Sequence, residues 1–94
     1  MIEFVLNEFV RRTLLLQLDA AYPHSLPMKT LKLGLFLSGL RIRRRFLEKE
    51  LAYLHAKDFM ELVPNELCPQ HRRYKLSVKG IDFLNDERRN ADRL

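Results

Sequence analysis

The sequence predicts one mainly α-helical domain closed by a small β-hairpin, and three observations predict it. Leu47, Leu51 and Leu54 recur at i, i+4 and i+7, which puts three leucines on one stripe of a helix running through the middle of the chain. Ile2 to Ala21 keeps helical period without a proline or glycine. From Phe59 to Val78 the period switches to alternation, broken in the middle by Pro64 and Pro69. The chain has 94 residues, 47% of them hydrophobic, with only 3 Gly and 4 Pro, enough for a single core and too short for a second domain.

The first helix is expected to end before Tyr22-Pro23, because the residue ahead of a proline is pushed out of helical geometry. Its core stripe reads Ile2, Val5, Leu6, Phe9, Thr13, Leu16 and Ala20. Phe4, Leu15 and Leu18 lie on the other side, interrupted by Arg11, where solvent normally requires polar residues. A second apolar face on a terminal helix predicts a homodimer through Phe4, Arg11, Leu15 and Leu18.

A helix-turn-helix is predicted over residues 25–57. Ser25 is placed as the cap of the second helix, with Pro27 in its first turn. Met28, Leu31 and Leu35 form one apolar stripe and Leu33, Phe36 and Leu37 another, so this helix is expected to be largely buried. Ser38-Gly39 ends it, since glycine most readily takes the left-handed conformation there. After a short extended link over Leu40–Ile42, the central helix runs from about Arg43 to Lys57. A hairpin follows over residues 59–78: Phe59 to Val63 as one strand, Asn65 to His71 as the loop, and Arg73 to Val78 as the second strand, alternating Tyr74, Leu76 and Val78 with Arg73, Lys75 and Ser77. A short closing helix through Ile81, Phe83 and Leu84 is expected over 78–85, with a charge-dense, fraying tail over 86–94.

The charge balance of 17 basic against 12 acidic residues, a formal +5, favours polyanionic partners. Cys68 is alone, which excludes an intrachain disulfide and fits a reducing cytoplasm. The opening residues lack a basic segment before their apolar run and meet Glu8, Arg11 and Arg12 early, which reads as neither signal peptide nor membrane span. Cys68 and His71 have CxxH spacing, half of a zinc site, but His24 and His55 fall on other elements and no second cysteine exists. Three isolated glycines make no phosphate loop, and no Ser, His or Asp sits in a nucleophile motif, so no enzyme activity, metal, cofactor or small-molecule substrate is expected.

Two basic clusters carry the functional reading. Arg41, Arg43, Arg44, Arg45 and Lys49 crowd the N-terminal end of the central helix, where the helix dipole disfavours cations by a few tenths of a kcal/mol each, roughly, unless an anion is present. Such residues contact phosphates, or reach guanine through a bidentate pair. A solvated basic face, partly neutralised by pairs such as Arg44 to Glu48, is the competing description. Arg72, Arg73 and Lys75, with His71, form the second cluster on the hairpin. Glu48 and Glu50 stand against an anionic partner.

The order helix, helix, turn, helix, hairpin, closing helix resembles a winged helix-turn-helix domain over roughly residues 25–84. Glu50-Leu51-Ala52-Tyr53-Leu54 followed by Lys57-Asp58-Phe59 looks like the end of a recognition helix and its exit turn, with Asp58 where that family commonly has Gly. Tyr74-Lys75-Leu76-Ser77-Val78-Lys79-Gly80 with Phe83-Leu84 is similar to the second wing strand entering the last helix through a Leu-Ser/Thr-x-x-Gly turn. More narrowly, Asn7-Glu8-Phe9-Val10-Arg11-Arg12-Thr13-Leu14-Leu15-Leu16, beside Glu50 to Leu54, resembles small winged-helix proteins encoded in Mu-like prophages. The resemblance implies a phage-derived protein that binds double-stranded DNA as a transcriptional or replication-related regulator. A protein-interaction module on the same fold is the alternative, since fold alone does not choose between them.

Overall fold

The computed structural model describes residues 2–65, 67–68 and 71–92, with the side chains of residues 2–5 and 92 outside the description. In chain order the elements are α1 (Ile2–Ala21), β1 (Leu26–Pro27), α2 (Met28–Leu37), α3 (Arg44–Ala56), β2 (Met60–Val63), β3 (Arg73–Leu76) and α4 (Val78–Asp92). The architecture is mainly helical, with a small antiparallel sheet of order β1-β3-β2. Leu26 pairs with Tyr74, and Met60 and Leu62 pair with Leu76 and Tyr74. The two-residue β1 was not anticipated: Pro27 has no N–H to give, which suits it to an edge position.

The core is built on leucine. Leu47, Leu51 and Leu54 of α3 meet Val10, Leu14, Leu15 and Leu18 of α1, Leu31 and Leu35 of α2, Met60, Tyr74 and Leu76 of the sheet, and Leu84 of α4. The faces of α1 are therefore largely the reverse of the sequence expectation, although Leu6 of the expected core stripe does pack against the core. Leu15 and Leu18, expected to meet a second copy, are 2% and 0% exposed within the single chain, whereas Phe9 and Leu16, expected in the core, are 52% and 41% exposed. Ala20 is exposed as well. Phe4, the remaining apolar residue of that expected contact, has its side chain outside the described residues, as do Ile2 and Val5 of the expected core stripe.

Arg11 explains the rotation. Its Nε–H donates to Oε2 of Glu50, a carboxylate only 1% exposed in the middle of α3, and its guanidinium lies 3.7 Å from the centre of the Tyr53 ring. A buried carboxylate requires a cation and hydrogen bonds, so the face of α1 that carries Arg11 must turn toward α3. Arg11 is thus an internal ion-pair partner rather than part of a free face.

Both helix exits follow one chemistry. Gly39 has φ +89°, and Gly39 N–H and Leu40 N–H donate to the carbonyls of Phe36 and Leu35, closing a Schellman motif. At the end of α3, Asp58 takes φ +63° while Asp58 N–H and Phe59 N–H donate to His55 and Leu54, the same motif made by an aspartate. The α3 exit is then bolted to α4. Ser77 Oγ–H donates to the Asp58 carbonyl at 2.5 Å and accepts from Gly80 N–H at 3.0 Å, so one hydroxyl caps α4 and ties it to the turn. Gly80 packs on that turn so closely that a Cβ would lie 2.2 Å from the Phe59 carbonyl oxygen. Phe59 and Phe83 stack beside it at 4.6 Å.

Four further expectations are corrected. Ser25 is not a helix cap: Pro27 holds that position, and Ser25 instead binds Arg73. Leu33, Phe36 and Leu37 are not buried, being 56%, 53% and 75% exposed, because α2 fully buries only Leu31 and Leu35. The closing helix does not stop at residue 85 but continues to Asp92, where a fraying tail was expected; Glu and Arg are good helix formers, and Arg88 reaches Asp19 of α1 at 3.0 Å. Val78, expected as the end of a strand, is the first residue of that helix. Residues 93–94 of the expected tail lie outside the described residues.

Two substitutions test this packing. Arg11→Met should destabilise the domain by about 3 to 5 kcal/mol, because it strands a buried charge, and adding Glu50→Leu should restore most of that loss; equal melting temperatures for wild type and Arg11→Met in denaturation experiments would contradict the pairing. Gly80→Ala should cost about 1 to 3 kcal/mol, since the methyl meets backbone that cannot move aside freely, and an unchanged denaturation midpoint would show that the junction between the turn and α4 is looser than described.

Candidate nucleic-acid interface

The core contacts of α3 determine which of its residues remain available. With Leu47, Glu50, Leu51 and Leu54 turned inward, Arg44, Glu48, Ala52 and His55 form one wall of a groove, and Arg45, Lys49 and Ala56 continue the exposed surface beyond it. The facing wall comes from the start of α2 and from the sheet: Pro27, Met28, Lys29 and Lys32 on one side, Met60, Leu62, Tyr74, Arg72 and His71 on the other. The groove has a volume of about 940 Å³. Its floor is apolar, from Leu51, Met60 and Tyr74, and among the described residues its rim carries Lys29, Lys32, Arg44 and Arg72 against one carboxylate, that of Glu48.

That carboxylate is already engaged. Arg44 Nε–H donates to Glu48 Oε1 at 3.0 Å, an exposed i,i+4 pair of small energetic weight. Glu50, the other acid expected to oppose an anionic partner, is withdrawn into the core on Arg11 and leaves the exposed face of α3 without it. Both basic residues on the outer surface of α3, Arg45 and Lys49, are exposed. Tyr74 keeps its hydroxyl proton, burial pushing the phenol up against the opposing pull of Arg72.

The link before α3 extends the cationic surface. Arg41 and Arg43 line a shallow recess of about 470 Å³ with Phe36, Leu40, Ile42 and Lys32. The Arg41 guanidinium stands 5.8 Å from the Phe36 ring centre. Lys32 borders this recess and the larger groove, so the basic surface passes from the link to the hairpin through α2.

The hairpin cluster, expected to act as one group, is divided by strand alternation. Arg72 has the same parity as Tyr74 and lines the groove, whereas Arg73 and Lys75 belong to the opposite face of the sheet. There Arg73 donates to Ser25 Oγ at 2.8 Å and to the Ser25 carbonyl at 2.9 Å, and Lys75 stands 5.7 Å from the Tyr22 ring centre. Of the expected contact residues the structure therefore brings Arg44 and Arg72 onto one groove, sets Arg41, Arg43, Arg45 and Lys49 beside it, and turns Arg73 and Lys75 away.

Lys29 and Lys32 were missed because their helix was expected to be buried. The signal was present: Lys29, Lys32 and Phe36 recur at helical spacing on the side away from Leu31 and Leu35. Cys68 is exposed in the loop ahead of β3, where Asn65 Oδ1 accepts from the Leu67 and Cys68 N–H groups. Among the described residues no three His, Cys, Asp or Glu side chains group as metal ligands do, and no helix is long and apolar enough to cross a membrane. Compared with protein-family models, curated proteins and solved structures, the chain matches none of them.

Proposed function

We propose that the protein is a winged-helix DNA-binding module that holds duplex DNA against α3, the start of α2 and the Arg72 end of the hairpin. The observation that carries this reading is the convergence of Lys29, Lys32, Arg44 and Arg72, from three separate elements, on one groove whose only acid among the described residues is paired. Arg41, Arg43, Arg45 and Lys49 flank it. Phosphate oxygens are the ligands such a surface suits, because several cations spaced over a concave face neutralise several phosphates at once and release their counterions. The order α1, α2, α3, hairpin, α4 supports the winged-helix reading, as does the left-handed Asp58 at the exit from α3. A regulator of transcription or replication, of the kind the prophage resemblance implies, is the role this reading assigns.

The work is divided among the cations. Lys29, Lys32 and Arg72 are placed to grip backbone, while Arg44 and Arg45, near the start of the exposed helix, are the ones to approach base edges. If about five cations neutralise phosphates, log K for duplex DNA falls with log salt at a slope of roughly −4 to −5. Fluorescence anisotropy on random duplex across a salt series measures this. Lys29→Ala with Lys32→Ala should weaken binding to all sequences and make the slope shallower by roughly 2. Arg72→Ala should weaken binding more than Arg73→Ala, because Arg73 is held by Ser25 on the other face of the sheet. Salt-independent binding, no binding, or equal effects of the Arg72 and Arg73 variants would contradict the proposal.

A further inference from the structure

On the other side of α2 from the cationic groove the surface changes character. Phe9, Leu16 and Ala20 are exposed along α1 with half-buried Thr13 between them, a stripe at i, i+4, i+7 and i+11. Thr30, Leu33 and Leu37 form the corresponding exposed stripe of α2. The two stripes adjoin because the helices cross tightly at Gly34, where a Cβ would lie 2.0 Å from Gln17 Oε1. Gln17 is the polar residue that would divide them, and its amide is turned inward to donate to the Leu31 carbonyl at 3.2 Å. None of these seven stripe positions is charged, in a chain in which 31% of residues are; the nearest cations, Arg12 beside Phe9 and Leu16 and Lys29 beside Leu33, stand at the border of the face.

We propose that this face docks a second copy of the same chain. Exposures of 52% for Phe9, 41% for Leu16, 56% for Leu33 and 75% for Leu37 offer, with the neighbouring methyl groups, roughly 500 Å² of apolar surface, near the upper limit for a monomer's largest patch. Two copies together bury about 1,000 Å², the lower bound for a specific interface. Charge selects the occupant. Two chains that each carry +5 repel wherever their cations meet, and a face whose cations stand only at its border is where they can approach at the least cost, whereas an acidic partner is drawn to the groove instead. A two-fold axis through this face uses the same patch on both copies and leaves both grooves open. The dimer contact is thus the outer surface of α1 with α2, not the Arg11, Leu15 and Leu18 side.

Sedimentation velocity of the full chain between about 1 and 100 μM, the range of modest interfaces, tests this. The expected mass rises from 11.2 kDa toward twice that value, and Leu16→Glu with Leu33→Glu stays at the lower mass while keeping its helical circular dichroism, both side chains being exposed in the single chain. A second readout does not depend on that variant folding: spin labels at Thr30→Cys in a Cys68→Ser chain should broaden one another across the axis, while labels at Lys79→Cys, on α4, should not. A wild-type chain monomeric throughout, a double variant that dimerises as wild type does, or Thr30 labels that do not sense each other would each overturn the proposal.

Discussion

The pairing of Arg11 with Glu50 is the constraint on which the rest of the structure depends. A carboxylate 1% exposed among leucines is tolerable only with its counter-charge in place, so the two helices can meet in one rotational setting. Turning α1 by one residue position would remove the guanidinium from its partner. Turning α3 would expose Leu51 and Leu54 and bury Glu48. An apolar pair would give α1 and α3 at least as much stability, but it would not distinguish the two apolar faces of α1 as sharply. Tyr53, one turn from Glu50, adds its ring face to the same guanidinium, and Lys57 approaches that ring at 5.8 Å.

That setting has consequences on both sides of the molecule. On α3 it removes one acid from the exposed surface and leaves Arg44, Arg45 and Lys49 there, so an internal ion pair determines the sign of an external face. On α1 it sends Phe9 and Leu16 outward beside Leu33 and Leu37. A cationic groove and an apolar face therefore lie on different sides of α2, and a single buried contact separates them. The Ser77 junction completes the arrangement. By tying α4 to the exit from α3, it fixes the start of β2 and, through the pairing of Met60 with Leu76, the level at which β3 delivers Arg72 to the groove.

Much of the fold was legible in local pattern. The leucine stripe of α3, the glycine exit after α2 and the alternation of Tyr74 with Leu76 are each set within a few residues, and each stands where the pattern put it. The faces of α1 were not legible in that way. Both are apolar, and what chooses between them is a charge pair spanning 39 residues, which no local period contains. The two-residue β1 exists only because β3 pairs with it, and the length of α4 was obscured because its charged residues read equally well as a helix or as a solvated tail. Within the candidate site, cation-rich wording marked Arg44 and Arg72. The separation of Arg73 and Lys75 from Arg72 follows from strand parity together with a partner, Ser25, that lies 48 residues away. Lys29 and Lys32 were hidden by the expectation that a helix carrying two apolar stripes is largely buried.

The most direct test of the account is to map backbone amide shifts as a short duplex is titrated into the full chain at low salt. The account predicts shifts concentrated at Lys29, Lys32, the exposed positions of α3 from Arg44 to His55, and Arg72, with Phe9, Leu16, Leu33 and Arg73 little changed. Shifts confined to α1 and α4, or a spectrum unaltered by duplex at any ratio, would contradict it.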